Sequence, residues 1–380
     1  MTAKIAAFLA EENPPTPCLV VDLDVVSERF DSLRSYLPLA EIFYAVKANP
    51  APEVVSRLIE KGACFDVASP AEVDLCLELG ADPARLSYGN TIKKKADIAY
   101  AYERGVRLFA FDSDAELDKL IEVAPGAQVV CRLLADNAGA DWPLSRKFGC
   151  APDMARDLLV KARGNGLKPV GLSFHVGSQQ RNTEAWDCAV EAAARLFKTL
   201  EEDGIVLDLL NLGGGLPAQY REETAGVEAY GLAVSNAMTR HFGNYLPRMI
   251  IEPGRYLVGD AGILQAEVVL ISRKSYDEAT RWVYLDVGRF HGLAEAEGES
   301  IRYRVRVGDG SNTDGRKETG PVILAGPTCD SADILYERAG YEMPLDLEVG
   351  DKVQFLSTGA YTATYSSVGF NGFAPLRAYY

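Results

Sequence analysis

A lysine closes the apolar run FYAVK at position 47, and burial of its stem would depress the ammonium pKa enough to make the amine a nucleophile toward aldehydes. A lysine that snorkels or pairs with a carboxylate at a strand end would leave the same trace. Three glycines, Gly213, Gly214 and Gly215, follow the apolar run LDLLNL. Without side chains their backbone N–H groups can converge on a phosphate, although a tight turn at positive φ would also select glycine. Arg255 lies in IIEPGR, where a guanidinium can complete a phosphate grip. Glu252 in the same motif follows Met249, Ile250 and Ile251, and a carboxylate there needs a cation. A protonated pyridine nitrogen would serve, and so would an ion pair with Arg255 or another base. His175, one of three histidines, sits in SFHVGS, where its ring can stack on a flat ligand or be hydrogen-bonded in a core. Lysine for an aldehyde, glycines and arginine for a phosphate, carboxylate for a pyridinium and imidazole for a ring face match the features of pyridoxal phosphate.

These residues end short β-rich runs that alternate with helix-like stretches from about residue 22 to 260, the pattern of repeated βα units around a parallel sheet. The runs are 41–47, 64–69, 85–90, 108–113, 128–135, 171–178, 207–215 and 248–254. Eight strands predict an α/β domain that closes as a (β/α)8 TIM barrel over 22–261. An open doubly wound sheet would show fewer strands and a glycine fingerprint after the first. Barrel active sites lie at the C-terminal strand ends. Lys47, Asp66 with Ser69, Asn90, Arg132, His175 with Ser178, the glycine triplet, and Glu252 with Arg255 fall there. After residue 261 strands follow one another without helices: ILQAEVVLISRKS, RWVYLDVG, SIRYRVRVG, GPVILAGP, DKVQFLST and an aromatic end. They predict a C-terminal β domain, sheet or β-barrel-like, over 262–380, joined by the N-terminal segment 1–21, whose TPCLVVDL adds a strand. The polar stretch 308–317 reads as an exposed hairpin loop.

At 380 residues, 48% apolar and 24% charged, the chain has ordinary globular composition and the length for two domains. No apolar run approaches the roughly 20 residues of a membrane span, and Glu11 and Glu12 interrupt the N-terminal apolar stretch before a secretory signal could form. Seven cysteines, odd in number and without CxxC spacing, suit a reducing cytoplasm, and no metal site is expected. A net charge of −15 argues against nucleic-acid and anionic-membrane partners and mildly favours a cationic small molecule.

FYAVKANP (43–50), SFHVGSQ (173–179), NLGGGLP (211–217), EPGRYLV (252–258), GPTCDSADIL (326–335) and GAYTATYSSVGFNGF (359–373) appear in an order and spacing that resembles one family. It is the group IV, alanine-racemase-fold (fold type III) decarboxylases of basic amino acids, with the bacterial ornithine or lysine/ornithine branch the most similar. The resemblance spans nearly the whole chain. It implies a homodimer with active sites shared across the interface, Lys47 as the cofactor-bearing lysine, Glu252 at the pyridine nitrogen and His175 on the ring. It further implies Ser178, Gly214, Gly215, Gly254, Arg255 and Tyr361 around the phosphate, with Asp66 and Arg132 near the Schiff base. Cys329 and Asp330 match the pair that enters from the partner, one donating a proton to the decarboxylated carbon and the other anchoring the distal amine. On residues alone GPTCDS is only a β-domain turn.

The implied reaction is decarboxylation of L-ornithine to putrescine, with L-lysine to cadaverine as a companion. A diaminopimelate enzyme of this family carries Glu after the cysteine, where this chain has Asp330. The segment LAEAEGES (293–300) resembles the element that sets substrate length, so Glu295 or Glu297 is expected to face the distal charge. Arg304 stands where relatives often have proline. Arginine decarboxylation, diaminopimelate decarboxylation and racemisation on the same scaffold remain alternatives. A non-enzymatic cofactor carrier would lack the β domain.

Overall fold

The computed structural model describes residues 1–136, 138–142, 147–308 and 318–380. Two compact units form: Ser27–Pro217 with Thr224–Leu257, and Met1–Val26 with Ala218–Glu223 and Val258–Tyr380.

The first unit is the closed barrel expected from the strand count. Its eight strands are Ala40–Ala45, Cys64–Val67, Leu86–Tyr88, Leu108–Phe111, Gln128–Arg132, Lys168–Ser173, Leu209–Asn211 and Arg248–Ile251. All pairings are parallel, and closure pairs Met249 with Ala40. Phe43, Cys64, Ala110, Val130, Leu209 and Ile250 fill the interior as a buried cluster, so the barrel is a packed core and its chemistry is confined to the mouth. Proline starts the helices Pro52–Glu60, Pro70–Glu78 and Pro152–Gly164, where its fixed φ suits the first turn and its missing N–H costs nothing.

The strands end earlier than the apolar runs suggest. Lys47 lies beyond the first strand in the one-turn 3-10 helix Val46–Ala48. His175 follows the sixth strand, and Ser178 opens a short strand, Ser178–Gln180, paired antiparallel with Ala140–Trp142. The chain leaves the ladder while its residues are still apolar, because loops at the mouth are themselves buried: Val46, Ala48, Phe174 and Val176 are all inside.

The second unit is an eight-stranded mixed sheet. One path runs Val305–Val307, Lys352–Leu356, Gly262–Ser272, Arg281–Leu285, Thr319–Ala325 and Ile334–Pro344. The N-terminal strand expected from TPCLVVDL forms as Cys18–Val21, antiparallel to Gly262–Gln265 and parallel to Arg377–Tyr379. The N-terminal helix Ala3–Glu12 lays Ile5 and Leu9 over Cys18, Val20, Ile263 and Leu356. In SIRYRVRV only Val305–Val307 pairs; Ile301 and Tyr303 are buried off the ladder, so the alternation there reflects burial and not pairing. The strand Ile334–Pro344 was hidden by ERAG, whose exposed charges break the alternation where the register shifts. The stretch 309–317 of the expected hairpin loop lies outside the described residues. Among the described residues no helix is long and apolar enough to cross a membrane.

Candidate active site

In the barrel unit the turn bearing Lys47 is fixed by Asn49, whose carbonyl accepts from Tyr44 Oη at 2.9 Å and whose Oδ1 accepts from Ala51 N at 3.2 Å. Lys47 Nζ donates to Asp66 Oδ2 at 3.3 Å, with the lysine side chain 52% exposed and the aspartate 5%. The second oxygen of Asp66, Oδ1, is buried without a hydrogen-bond partner. Asp66 fits only because position 89 is glycine: a Cβ there would lie 2.0 Å from Oδ1.

Glu252 is half-buried and accepts from Asn211 Nδ2 at 2.5 Å. Burial, reinforced by Asp66, pushes its carboxyl up to about 7, against the opposing pull of Asn211, Lys47 and Arg132. Arg132 stacks its guanidinium 4.8 Å from the Phe148 ring centroid. His175 Nδ1 accepts from Gly177 N at 2.9 Å, which places the proton of the neutral ring on Nε2. Burial, then the charges of Arg132 and Lys47, hold the imidazole well below its usual range, so it is neutral at physiological pH.

The glycine triplet is a place of close backbone approach. A Cβ on Gly214 would lie 2.6 Å from Glu252 O and 3.1 Å from His175 Nε2, and one on Gly215, at φ +114°, would lie 2.5 Å from Gly177 O. Trp186 Nε1 donates to Leu212 O at 3.2 Å and anchors the loop from the helix Ala185–Glu202. Arg255 is buried, and its Nε and Nη2 donate to Ser178 Oγ at 3.3 and 3.1 Å. Gly254, also buried, accepts from Leu257 N at 3.1 Å. A buried guanidinium and a hydroxyl thus stand with a side-chain-free loop in one unit, a donor set suited to a phosphate.

Three residues of this unit escape sequence reasoning. Glu72 accepts from Ala68 N at 2.6 Å, and burial pushes its carboxyl up to about 7. Its signal was the pattern Ser69 to Glu72 at a helix start, where Ser69 Oγ caps Glu72 N at 3.3 Å. Asn211 sits in NLGGGLP, where only the glycines signal chemistry. Lys93 is fully buried, donates to Asn90 O and Ala110 O at 2.7 Å and pairs with Glu116 at 2.9 Å, tying two strand ends together.

The sheet unit gathers a second set. Cys329 is exposed, its Sγ 3.3 Å from Asn371 Nδ2. Asp330 is also exposed and accepts from Ala332 N at 2.8 Å. Their turn hangs on the buried Asp333, which accepts from Arg289 N at 2.8 Å, Thr328 N at 3.1 Å and Thr328 Oγ1 at 2.7 Å. Arg289 in turn pairs with the exposed Glu297 at 3.1 Å. Glu295 is buried in the 3-10 stretch Ala294–Glu299, so the two candidate glutamates have opposite environments. Tyr361 sits at φ +57°, its ring 5.8 Å from that of Tyr365, and Arg304 Nη2 donates to Ser357 Oγ at 3.1 Å.

Residues 23–259 match the family model described as the pyridoxal binding domain of the pyridoxal-dependent decarboxylases. The chain is 37% identical over 361 residues to a lysine/ornithine decarboxylase of Selenomonas ruminantium, covering 94% of this chain and 88% of that one. A crystal structure of SrLDC in complex with PLP and cadaverine superposes with a TM-score of 0.87 at 34% identity, covering 100% of this chain and 93% of the other. The arginine decarboxylase of Paramecium bursaria Chlorella virus superposes at 0.90 with 27% identity, both chains fully covered. The donor set of the barrel mouth fits the same cofactor: an amine, a half-buried carboxylate, a neutral imidazole and an anion cradle.

Proposed function

The chain belongs to the pyridoxal-dependent decarboxylases, and from that premise we propose that it converts L-ornithine to putrescine, a step of polyamine synthesis, and also takes L-lysine to cadaverine. The coarser activity is that of the family: a pyridoxal-phosphate-dependent carboxy-lyase acting on a basic amino acid. The observation that carries the choice of substrate is the exposed Asp330 directly after Cys329, with Glu297 tied to the same turn through Arg289 and Asp333. Carboxylates suit a distal ammonium; a second substrate carboxylate would call for a free guanidinium.

Pyridoxal phosphate, when bound, supplies the sink for the electron pair left on the α-carbon as carbon dioxide departs. Lys47 would hold the cofactor through its amine, and Asp66, 3.3 Å from that amine, would keep it in place. Glu252 would hold a proton at the ring nitrogen by offering it a carboxylate. His175, neutral, would offer the cofactor ring a flat face without adding positive charge there. Arg255, Ser178 and the Gly214–Gly215 backbone would hold the phosphate. We read the protein as a homodimer in which Cys329 of the partner subunit donates its thiol proton to the α-carbon and Asp330 of the partner subunit receives the distal ammonium. Five buried thiols among the seven cysteines suit a reducing cytoplasm.

The test is steady-state kcat/KM on L-ornithine, L-lysine, L-arginine and diaminopimelate, with carbon dioxide and amine both quantified. Ornithine is expected highest and lysine about 10- to 200-fold or less behind, the range one methylene allows. Arginine or diaminopimelate at the top overturns the substrate, and loss of optical rotation without carbon dioxide overturns the reaction.

A further inference from the structure

Asn211 ends the seventh barrel strand, is 3% exposed, and holds two partners at once. Its Oδ1 accepts from Gly213 N at 2.9 Å, and its Nδ2 donates to Glu252 Oε1 at 2.5 Å. The orientation of the amide is therefore not a free choice. A backbone N–H can only donate, so the oxygen must face Gly213 and the NH2 must face the carboxylate. The same two segments are joined a second time by Glu252 N donating to Gly213 O at 2.8 Å.

We propose that Asn211 is a positioning residue that sets the aim and the charge of Glu252. By occupying Oε1 it leaves Oε2 as the oxygen presented to the pyridine nitrogen, and by donating a hydrogen bond it favours the carboxylate over the carboxylic acid. This rests on the reading of Glu252 as the partner of that nitrogen. The charges around Glu252 come from Asp66 on the second strand, Lys47 in the turn after the first and Arg132 at the end of the fifth, with the neutral His175 beside the glycine loop. Asp66 and burial oppose ionisation; Lys47, Arg132 and Asn211 favour it. Asn211 is the one uncharged member of the favouring group. An aspartate at 211 would keep the shape, lose the donor and set two carboxylates against each other.

The test compares holoenzyme of the wild type with Asn211→Asp, Asn211→Ala and Glu252→Gln. Readouts are the affinity of the stripped protein for pyridoxal phosphate, the pH profile of kcat, and KM. A hydrogen bond to a charge predicts cofactor affinity about tenfold weaker or more in both Asn211 variants. The acid limb of kcat should move to higher pH, by about one unit in Asn211→Asp and less in Asn211→Ala, with KM nearly constant. A merely structural loss would lower kcat without moving that limb. If Asn211→Asp fails to fold, Asn211→Ala, which adds no charge, carries the test alone. Affinity within twofold of wild type and an unmoved acid limb in the Asn211 variants, with Glu252→Gln altering both, overturn the inference. If Glu252→Gln leaves both unmoved, the reading of Glu252 falls first and the inference with it.

Discussion

Glu252 and Cys329 represent two ways of placing chemistry. In the barrel unit, Glu252 is half-buried among Asn211, Asp66, Lys47 and Arg132, and its ionisation is set by desolvation and by that company. In the sheet unit, Cys329 and Asp330 are exposed on a turn, and only the anchor beneath them, Asp333, is buried. A group whose charge must be tuned needs low dielectric and fixed neighbours. A group that must meet another molecule needs exposure and a rigid base. Substitutions in the first region should therefore disturb the cofactor itself, and substitutions in the second should leave it bound and change only what happens to the substrate.

The largest effect expected is that of Lys47→Ala, which should remove the visible absorbance of lysine-bound cofactor and lower kcat/KM on the order of 10³-fold or more. Absorbance that survives would move the attachment point and dissolve the contrast. Cys329→Ala should keep that absorbance, lower kcat roughly 10²-fold, and release carbon dioxide in excess of diamine; an unchanged kcat removes the thiol from proton delivery.

A stability measurement probes the crowding directly. Burial raises the Glu72 carboxyl from 4.5 to about 7, so between those values the folded state keeps a proton that the unfolded chain has released. Its contribution is complete below pH 4.5 and is lost as pH rises through 7. Glu72→Gln can still accept from Ala68 N, and should flatten the fall in stability between pH 5 and 8, with a gain of roughly 1–3 kcal/mol at pH 8 by denaturant unfolding. A parallel pH curve for wild type and variant would show that the site tolerates the charge. The smallest effect belongs to the pair of half-buried Arg289 and exposed Glu297: Glu297→Ala should change stability by less than about 1 kcal/mol. Its expected signature is a KM for ornithine a few-fold higher, and an unaltered KM removes Glu297 from substrate binding.

Much of the barrel was legible because each strand is a short apolar run that ends in a polar residue, and the runs could be counted. Lys47, Asp66, Arg132, His175 and Glu252 stood out as polar types in apolar company. What lay hidden were contacts made in three dimensions. Nothing in YGN marks Gly89 as the space that admits the Asp66 carboxylate. Nothing in NLGGG tells that Asn211 reaches across to Glu252, just past the end of the neighbouring strand. In the sheet unit, Glu295 and Glu297 share a motif, yet one faces inward and the other solvent, because Gly298 at φ +60° and the kink at Glu297 break any regular period. Asp333 was unreadable for a similar reason: it acts through Gly288 and Gly326, positions where a Cβ would lie 2.1 and 2.4 Å from its carboxyl atoms.

The strand Cys18–Val21 lies between Gly262–Ser272 and Arg377–Tyr379. On a ribosome it emerges before either partner and can pair with them only after some 240 to 360 further residues have been made, the sequence separation its registers imply. The barrel unit, drawn almost wholly from the intervening chain, has all its strands by Ile251. Synthesis thus supplies a complete barrel while the apolar strand CLVV still waits unpaired. During that interval an apolar edge that the folded sheet pairs on both sides is open to non-native pairing.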